Sequence, residues 1–417
     1  PSLASLLLLI AGAMLPLGAL AQTWNFDGNG NWRQNNRWTP TTFPNSVGAT
    51  ATLGNIITAN RNIRINGTAP TIGTLVFDSA FAYTVFQSGL IFNQTGTGNA
   101  KIEVLTTHGN PAHTISSNIE IFDHLEITQN SSQTLTLSGN LSDTWGNYDL
   151  IKNGSGRVLL SGNNSGWDGK LLLDAGTVRV SSSNALGSST FGNTIASGAK
   201  LEIQGNITLT ETNFDIAGSG FAGSGAIRNL SGNNTLNALI DLQADATIRS
   251  DAGDLTMSNS LDLASGNLTI TGAGNVTHSG TAYGGGGITK EGSGTLTLSG
   301  AGNSYGGDTV ADVEMTGGVI ETGTGTLTIG GSGGDFIVNS SSTGSLLDGN
   351  LTNNRFDLDF DVAAGAADDL TIDGTFIANQ QWRKSGTGIM TLTGSTANSG
   401  SGPLIIDQGT LKLAKTS

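Results

Sequence analysis

The sequence predicts an all-β chain wound as a β-solenoid behind an N-terminal signal peptide. Three observations point there. Short stretches alternate apolar residues with β-favouring polar ones, as in Thr134-Leu135-Thr136-Leu137, Leu268-Thr269-Ile270-Thr271 and Thr326-Leu327-Thr328-Ile329. Each is bounded by Gly, Asn or Ser clusters that supply turns, and helix signals are nearly absent beyond Gln22. An eleven-residue template, K-x-G-x-G-x-φ-x-L-[ST]-G with φ apolar, then occurs three times. It begins at Lys152, Lys290 and Lys384 and ends at Gly162, Gly300 and Gly394. The first and last copies are followed by a return strand that closes on Asp174-Ala175-Gly176-Thr177-Val178 or Asp407-Gln408-Gly409-Thr410-Leu411.

A unit of roughly 20–30 residues is the size of one solenoid coil. A single coil cannot bury its apolar side, but stacked coils share one core and a backbone ladder along the axis. Val158, Leu160, Leu296, Leu298, Met390 and Leu392 hold the alternate apolar positions of the template and are expected to point inward. Gly permits the corners, and Asn suits stacking on them. A pair of ordinary β-sandwiches would not need the same template three times.

The N-terminus reads as an address. Leu6 to Leu20 is an apolar run, and Ala19-Leu20-Ala21 before Gln22 is the small-x-small pattern of signal-peptidase cleavage. The run is short for a bilayer span. The expected division is therefore a signal peptide over 1–21, a Trp-rich lead-in over 22–44 containing Trp24, Trp32 and Trp38, and a solenoid over 45–417. The repeat copies lie near 150–180, 288–320 and 382–413. With no basic n-region and a first residue Pro1, the sequence is expected to begin just inside its signal peptide.

Composition removes several functions. There is no Cys, which excludes a disulfide scaffold, a thiolate metal site and a Cys nucleophile. Eighteen Lys and Arg against 32 Asp and Glu give a net charge of −14, which argues against nucleic acid as a partner. Gly contributes 62 of 417 residues, about twice the usual share, as frequent corners require.

The template, continued through Ser161-Gly162-Asn163-Asn164-Ser165-Gly166 and Asp174 to Val178, resembles the autotransporter-associated β-strand repeat. The middle copy matches best through Asn303-Ser304-Tyr305-Gly306-Gly307-Asp308-Thr309, then departs where Asp312 to Gly318 lengthens the return strand. The opening Trp24-Asn25-Phe26-Asp27-Gly28, with Trp32, Trp38 and Pro44, also looks like the start of large bacterial proteins bearing such repeats. The resemblance implies a right-handed parallel β-helix, of the pectin-lyase-like kind, secreted or exposed on the bacterial surface. It also implies an outer-membrane translocator or sorting segment beyond Ser417.

Candidate chemistry is thin. Gly330 to Val338 matches the calcium nonapeptide G-G-x-G-x-D-x-U-x, but the next nine residues do not repeat it. Phe356-Asp357-Leu358-Asp359-Phe360-Asp361-Val362 alternates strictly, which would set three carboxylates on one side of a strand and four apolar side chains on the other. Such carboxylates could bind calcium or act on a sugar; a solvated outer face is the simpler reading. Asp368-Asp369 and His108-Gly109 do not complete the set a pectin-degrading β-helix needs. Ser304 in Gly302-Asn303-Ser304-Tyr305-Gly306 and the glycines of Gly218 to Gly223 spell nucleophile and dinucleotide motifs without the strand–turn–helix those motifs require. His108, His113, His124 and His278 lack metal-binding spacing.

The sequence thus predicts a non-catalytic secreted or cell-surface repeat protein, a structural stalk or an adhesin/passenger. No catalytic, cofactor-binding or metal-binding residue and no cofactor is assigned. The expected partner is an unidentified surface ligand, carbohydrate among the candidates. The alternatives are a carbohydrate-active β-helix enzyme, lyase or glycoside hydrolase, and a carbohydrate- or calcium-binding module.

Overall fold

The computed structural model describes residues 21–416 apart from 145, 189–190, 299–303, 306–312, 317, 330–334, 341–343, 355 and 366–368. The expected signal peptide lies outside the described residues up to 20. The chain is 51% strand and 2% helix and forms one parallel β-solenoid, as the sequence predicts. Two three-residue turns of 3-10 helix, Asn35–Arg37 and Phe221–Gly223, are the helical segments among the described residues.

Each turn of the solenoid crosses three faces. The first is built of strands such as Thr50–Leu53, Thr74–Phe77, Ala100–Val104, Leu125–Gln129 and Leu150–Asn153, each in parallel register with the next. The second runs through Arg61–Ile65, Tyr83–Gln87, Thr114–Ile115, Thr134–Leu137 and Arg157–Leu160. The third stacks Thr71–Ile72, Leu90–Phe92, Ile119–Ile121 and Leu141–Ser142. Further along, single strands bend over the corners. Asn234–Ser250 touches the following turn on all three faces, pairing at Leu236↔Met257, Ile240↔Leu261 and Ile248↔Ile270. A turn takes 20 residues from Leu268 to its partner Ile288 and 27 from Leu75 to Ile102. Extra residues sit toward the corners, where the register shifts, as between Ile203 and Gln204 or between Thr210 and Asn213.

Alternation decides what is buried. Val158, Leu160, Leu296, Leu298, Met390 and Leu392 are all buried, as their template positions require. Each such side chain removed from water contributes about 1.5–3 kcal/mol, and the stack makes one continuous core. Asn side chains tie corners together: the Asn140 amide donates to Asn118 Oδ1 at 3.1 Å, and the Asn163 amide to Asn140 Oδ1 at 3.0 Å.

The two ends differ. Ala21–Trp24 already pairs with Thr50–Leu53, and Trp24, Trp32 and Trp38 pack edge to face with centroids 5.3 and 4.9 Å apart. Their indole N–H groups donate to the carbonyls of Phe26, Pro44 and Trp32. Satisfied donors let these rings stay buried. At the other end Leu404, Ile406 and Leu413 are exposed.

Candidate functional site

The three repeat copies share a corner built around a buried lysine. Lys152, Lys290 and Lys384 lie in strands Leu150–Asn153, Ile288–Glu291 and Trp382–Ser385, on the inward side of the pleat, and are at most 1% exposed. A lone ammonium there would be costly, so its protons need acceptors. Lys152 Nζ donates to the carbonyls of Asn153 at 2.7 Å, Gly154 at 2.8 Å and Ala175 at 3.1 Å. Lys384 Nζ repeats this on Ser385 at 2.5 Å, Gly386 at 3.0 Å and Gln408 at 3.5 Å. Lys290 Nζ donates to Glu291 at 2.7 Å and Gly292 at 2.9 Å.

The glycine spacing follows from that geometry. Gly154, Gly292 and Gly386 have φ of +77°, +73° and +72°, the left-handed turn that brings two successive carbonyls back onto the lysine. The third acceptor comes from the return strand one turn later, just before Gly176 or Gly409, whose φ values are +71° and +72°. This explains why Asp-x-Gly-Thr follows the lysine at one coil's distance. Burial pushes the Lys152 ammonium down to about 7 and Lys290 to about 8, and it also lowers Lys384.

Residues 150–180, 288–311 and 383–413 match the family model described as passenger-associated-transport-repeat. These three segments are similar to passenger-associated-transport repeats. No curated protein and no solved structure matches the chain. The repeats are not confined to one face. Following the register from Val158 through Val178, Leu201, Ile227, Ile248 and Ile270 leads to Lys290. The first repeat therefore turns from the first face to the second, whereas the second and third turn from the second face to the third. In this chain the repeat makes a corner, and its copies do not all make the same one.

The acidic stretch needs correction. The strand begins at Leu358, not Phe356. Asp357 sits in the preceding turn with φ +62°, and Phe356 is 71% exposed instead of packed inward. Three carboxylates on one strand face reduce to two, Asp359 and Asp361. Asp357 accepts from Gln381 at 2.8 Å and faces Arg383 at 3.4 Å. Asp359 accepts from the Ser385 hydroxyl at 2.8 Å; burial, followed by the charges of Asp335 and Asp361, raises its carboxyl above the usual range despite that bond.

The remaining sequence candidates are spread through the scaffold. Gly330 to Gly334 of the nonapeptide lie outside the described residues, and Asp335 Oδ1 accepts the Asp359 amide at 3.2 Å. Asp368 is also outside them, while Asp369 is buried and accepts the amides of Gly365 and Ile389, each at 2.7 Å. Ser304 lies in a short strand whose backbone pairs with Thr328, and Gly302, Asn303 and Gly306 are outside the described residues. Gly218 ends a strand and leads only to the short turn Phe221–Gly223. His108 faces Asp78 at 2.9 Å, and His124 Nδ1 accepts the Asp149 amide at 2.9 Å. His113 and His278 are buried in the solenoid. Among the described residues, no group of three or more His, Asp or Glu is placed to hold a metal ion.

Sequence reasoning missed a second cluster. The Glu202 carboxylate, 1% exposed, meets Arg179 at 2.7 Å, Lys200 at 2.9 Å, Arg157 at 3.3 Å and Arg228 at 3.4 Å. Burial would raise its pKa, but the Lys200 and Arg179 hydrogen bonds outweigh that and hold it below the carboxylate range. Asp251 in turn pairs with Arg228 and Arg249. The available signal was an Arg, Glu or Arg at the same outward position of successive strands, which becomes visible only once the register is known.

Proposed function

We propose that this chain is a non-catalytic, secreted or cell-surface β-helical repeat protein that serves as a stalk or as the passenger part of an adhesin. The observation that supports this best is the lysine corner. The residues that recur in the passenger-associated-transport repeats spend their hydrogen bonds on the backbone of the scaffold itself. A repeat whose constant parts hold one turn to the next is suited to setting length and display.

The experiment is to express the natural full-length protein in its source and treat intact cells with protease. Cleavage of this segment on intact cells, or its recovery from the medium, is the expected result; a segment protected until the cells are lysed would refute the reading. A second reading, a carbohydrate-active enzyme, is favoured by the raised carboxyl of Asp359 beside Asp335 and Asp361. Turnover of pectin, alginate or another glycan that disappears in Asp359→Ala would establish it. The expected result is no turnover.

A further inference from the structure

The Glu202 cluster leaves an excess of positive charge on a strongly acidic protein. Arg157, Arg179, Lys200, Arg228 and Arg249 stand against Glu202 and Asp251, so the strip carries a net charge of +3 while the whole chain carries −14. The strip follows the axis. Arg179, Glu202, Arg228 and Arg249 are register partners on four successive turns of the second face, with Leu159 before them and Thr271 after. Asp215, Asp241 and Asp262 form a parallel acidic row on the first face over the same part of the solenoid. The charges are thus sorted by face.

The guanidinium groups are also held in place. Arg179 gives two N–H groups to one Glu202 oxygen, at 2.9 and 2.7 Å, and Arg228 Nε donates to Asp251 at 2.7 Å. Their side chains remain 23% and 25% exposed, and Arg157 and Arg249 at the two ends reach 35% and 38%. Cations already ordered by a buried carboxylate lose little further freedom when an anion arrives. Arginine presents planar paired donors suited to carboxylate and sulfate.

We propose that this strip is a docking surface for a linear acidic polysaccharide carrying a carboxylate or sulfate on successive sugar rings. Adjacent turns are about 4.8 Å apart, close to the length of one sugar ring, so charges along such a chain can keep step with the rungs. Duplex DNA advances about 3.4 Å of helix axis per phosphate of each strand and falls out of step. The register positions of the strip also hold no aromatic residue on which a base could stack. The proposal rests on the surface-display reading only for where the glycan is met. Binding by the purified chain tests it separately from localisation.

The test titrates the purified chain with heparin, polygalacturonate, neutral dextran and a single-stranded DNA oligonucleotide across a salt series. Binding to heparin or polygalacturonate that weakens with salt, with none to dextran, is expected. Arg157→Gln combined with Arg249→Gln should weaken it at least tenfold and flatten the salt dependence, measured below the melting temperature of the variant. Arg249→Gln alone, which gives up only the Asp251 contact, should weaken it several-fold and serves if the double variant misfolds. Lys101→Gln, on another face, should change nothing. Unaltered glycan binding in the arginine variants, equal binding of dextran, or DNA bound as tightly as the glycans would overturn the assignment.

Discussion

Lys152 and His113 are both buried basic side chains, one inside a passenger-associated-transport repeat and one in the turns before the first repeat. The repeat surrounds its cation with three carbonyl oxygens drawn from two successive turns. His113 has far less. Its Nδ1 accepts the Tyr83 amide at 3.1 Å, its ring stacks on Phe77 at 4.5 Å, and its Nε2 is buried without a hydrogen-bond partner. One site gives acceptors to an amine that burial still pushes toward neutrality, and the other holds a neutral ring with a single hydrogen bond. The difference shows what the repeat adds to a solenoid that already has its ladder and core: a cross-turn clamp that tolerates a buried ammonium.

The sharpest way to break that comparison is to place a charge where nothing accepts it. Leu160, between Leu137 and Val180 in the stack, is 1% exposed. Leu160→Asp should cost about 3–5 kcal/mol, because an uncompensated buried charge is among the most destabilising changes known. Urea unfolding of variant and parent measures it, and a loss below 1 kcal/mol would mean that the inward position is wrong.

The next effect is acid sensitivity. Burial lowers His113 to about 4, below its unfolded value near 6.5. A group whose folded pKa is depressed contributes stability above the unfolded pKa and loses it as pH falls through the folded one. The wild type should therefore weaken between pH 6.5 and 4 by roughly 3 kcal/mol on account of this ring. Carboxylates such as Asp27 and Asp251, also held low, add to the acid loss, so the informative quantity is a difference. The melting temperature of His113→Asn should fall less steeply over this window. Identical slopes would show that the ring is not forced to stay neutral.

How far the sequence carried this picture depends on the range of each interaction. Strand positions and inward residues such as Val158, Leu296 and Met390 were legible because period-two alternation and Gly punctuation are local signals. The lysine was visible as a recurring letter, but its role was not, since one acceptor of Lys152 is Ala175, one full turn away. Glu202 was hidden for the same reason: its cations come from four different turns. Asp357 misled in the opposite sense. Alternation continues through it in sequence, whereas its positive φ places it in a corner. Nor could the template reveal that its copies turn different corners, which is a property of register alone.

Removing the clamp should have an intermediate effect that scales with the acceptors left behind. Lys152→Met keeps a long unbranched side chain but strands the carbonyls of Asn153, Gly154 and Ala175. Each part-buried acceptor without a partner costs up to about 1–3 kcal/mol, which water entry and the removal of an ammonium disfavoured by burial offset in part, so a net loss of about 1–2 kcal/mol is expected. Lys384→Met strands the carbonyls of Ser385, Gly386 and Gln408, the last reached only at 3.5 Å against 3.1 Å for Ala175, and should cost less. Matched denaturant melts of the two variants test the ordering. Equal losses would mean that the contact to the following turn contributes nothing.

The smallest effect belongs to the acidic corner, where the two aspartates part company. Asp359 is pushed toward its neutral form by burial and then by Asp335 and Asp361, so Asp359→Asn replaces a carboxyl that already resists ionisation. It should be neutral or slightly stabilising at pH 7. Asp357→Asn gives up the half-exposed contact to Arg383, a type of pair worth about 0–1 kcal/mol, and keeps a residue type that tolerates φ of +62°. Both variants should stay within about 1 kcal/mol of the parent, with Asp359→Asn the more stable of the two. The decisive measurement is the pH dependence of that pair from 4 to 7. Ionisation of Asp359 against burial and like charge makes the parent lose ground to Asp359→Asn as pH rises, while Asp357→Asn shows no such gain. A parent that instead gained on Asp359→Asn with rising pH would mean that its carboxylate is welcomed by a cation, and the corner would have to be read as a binding site.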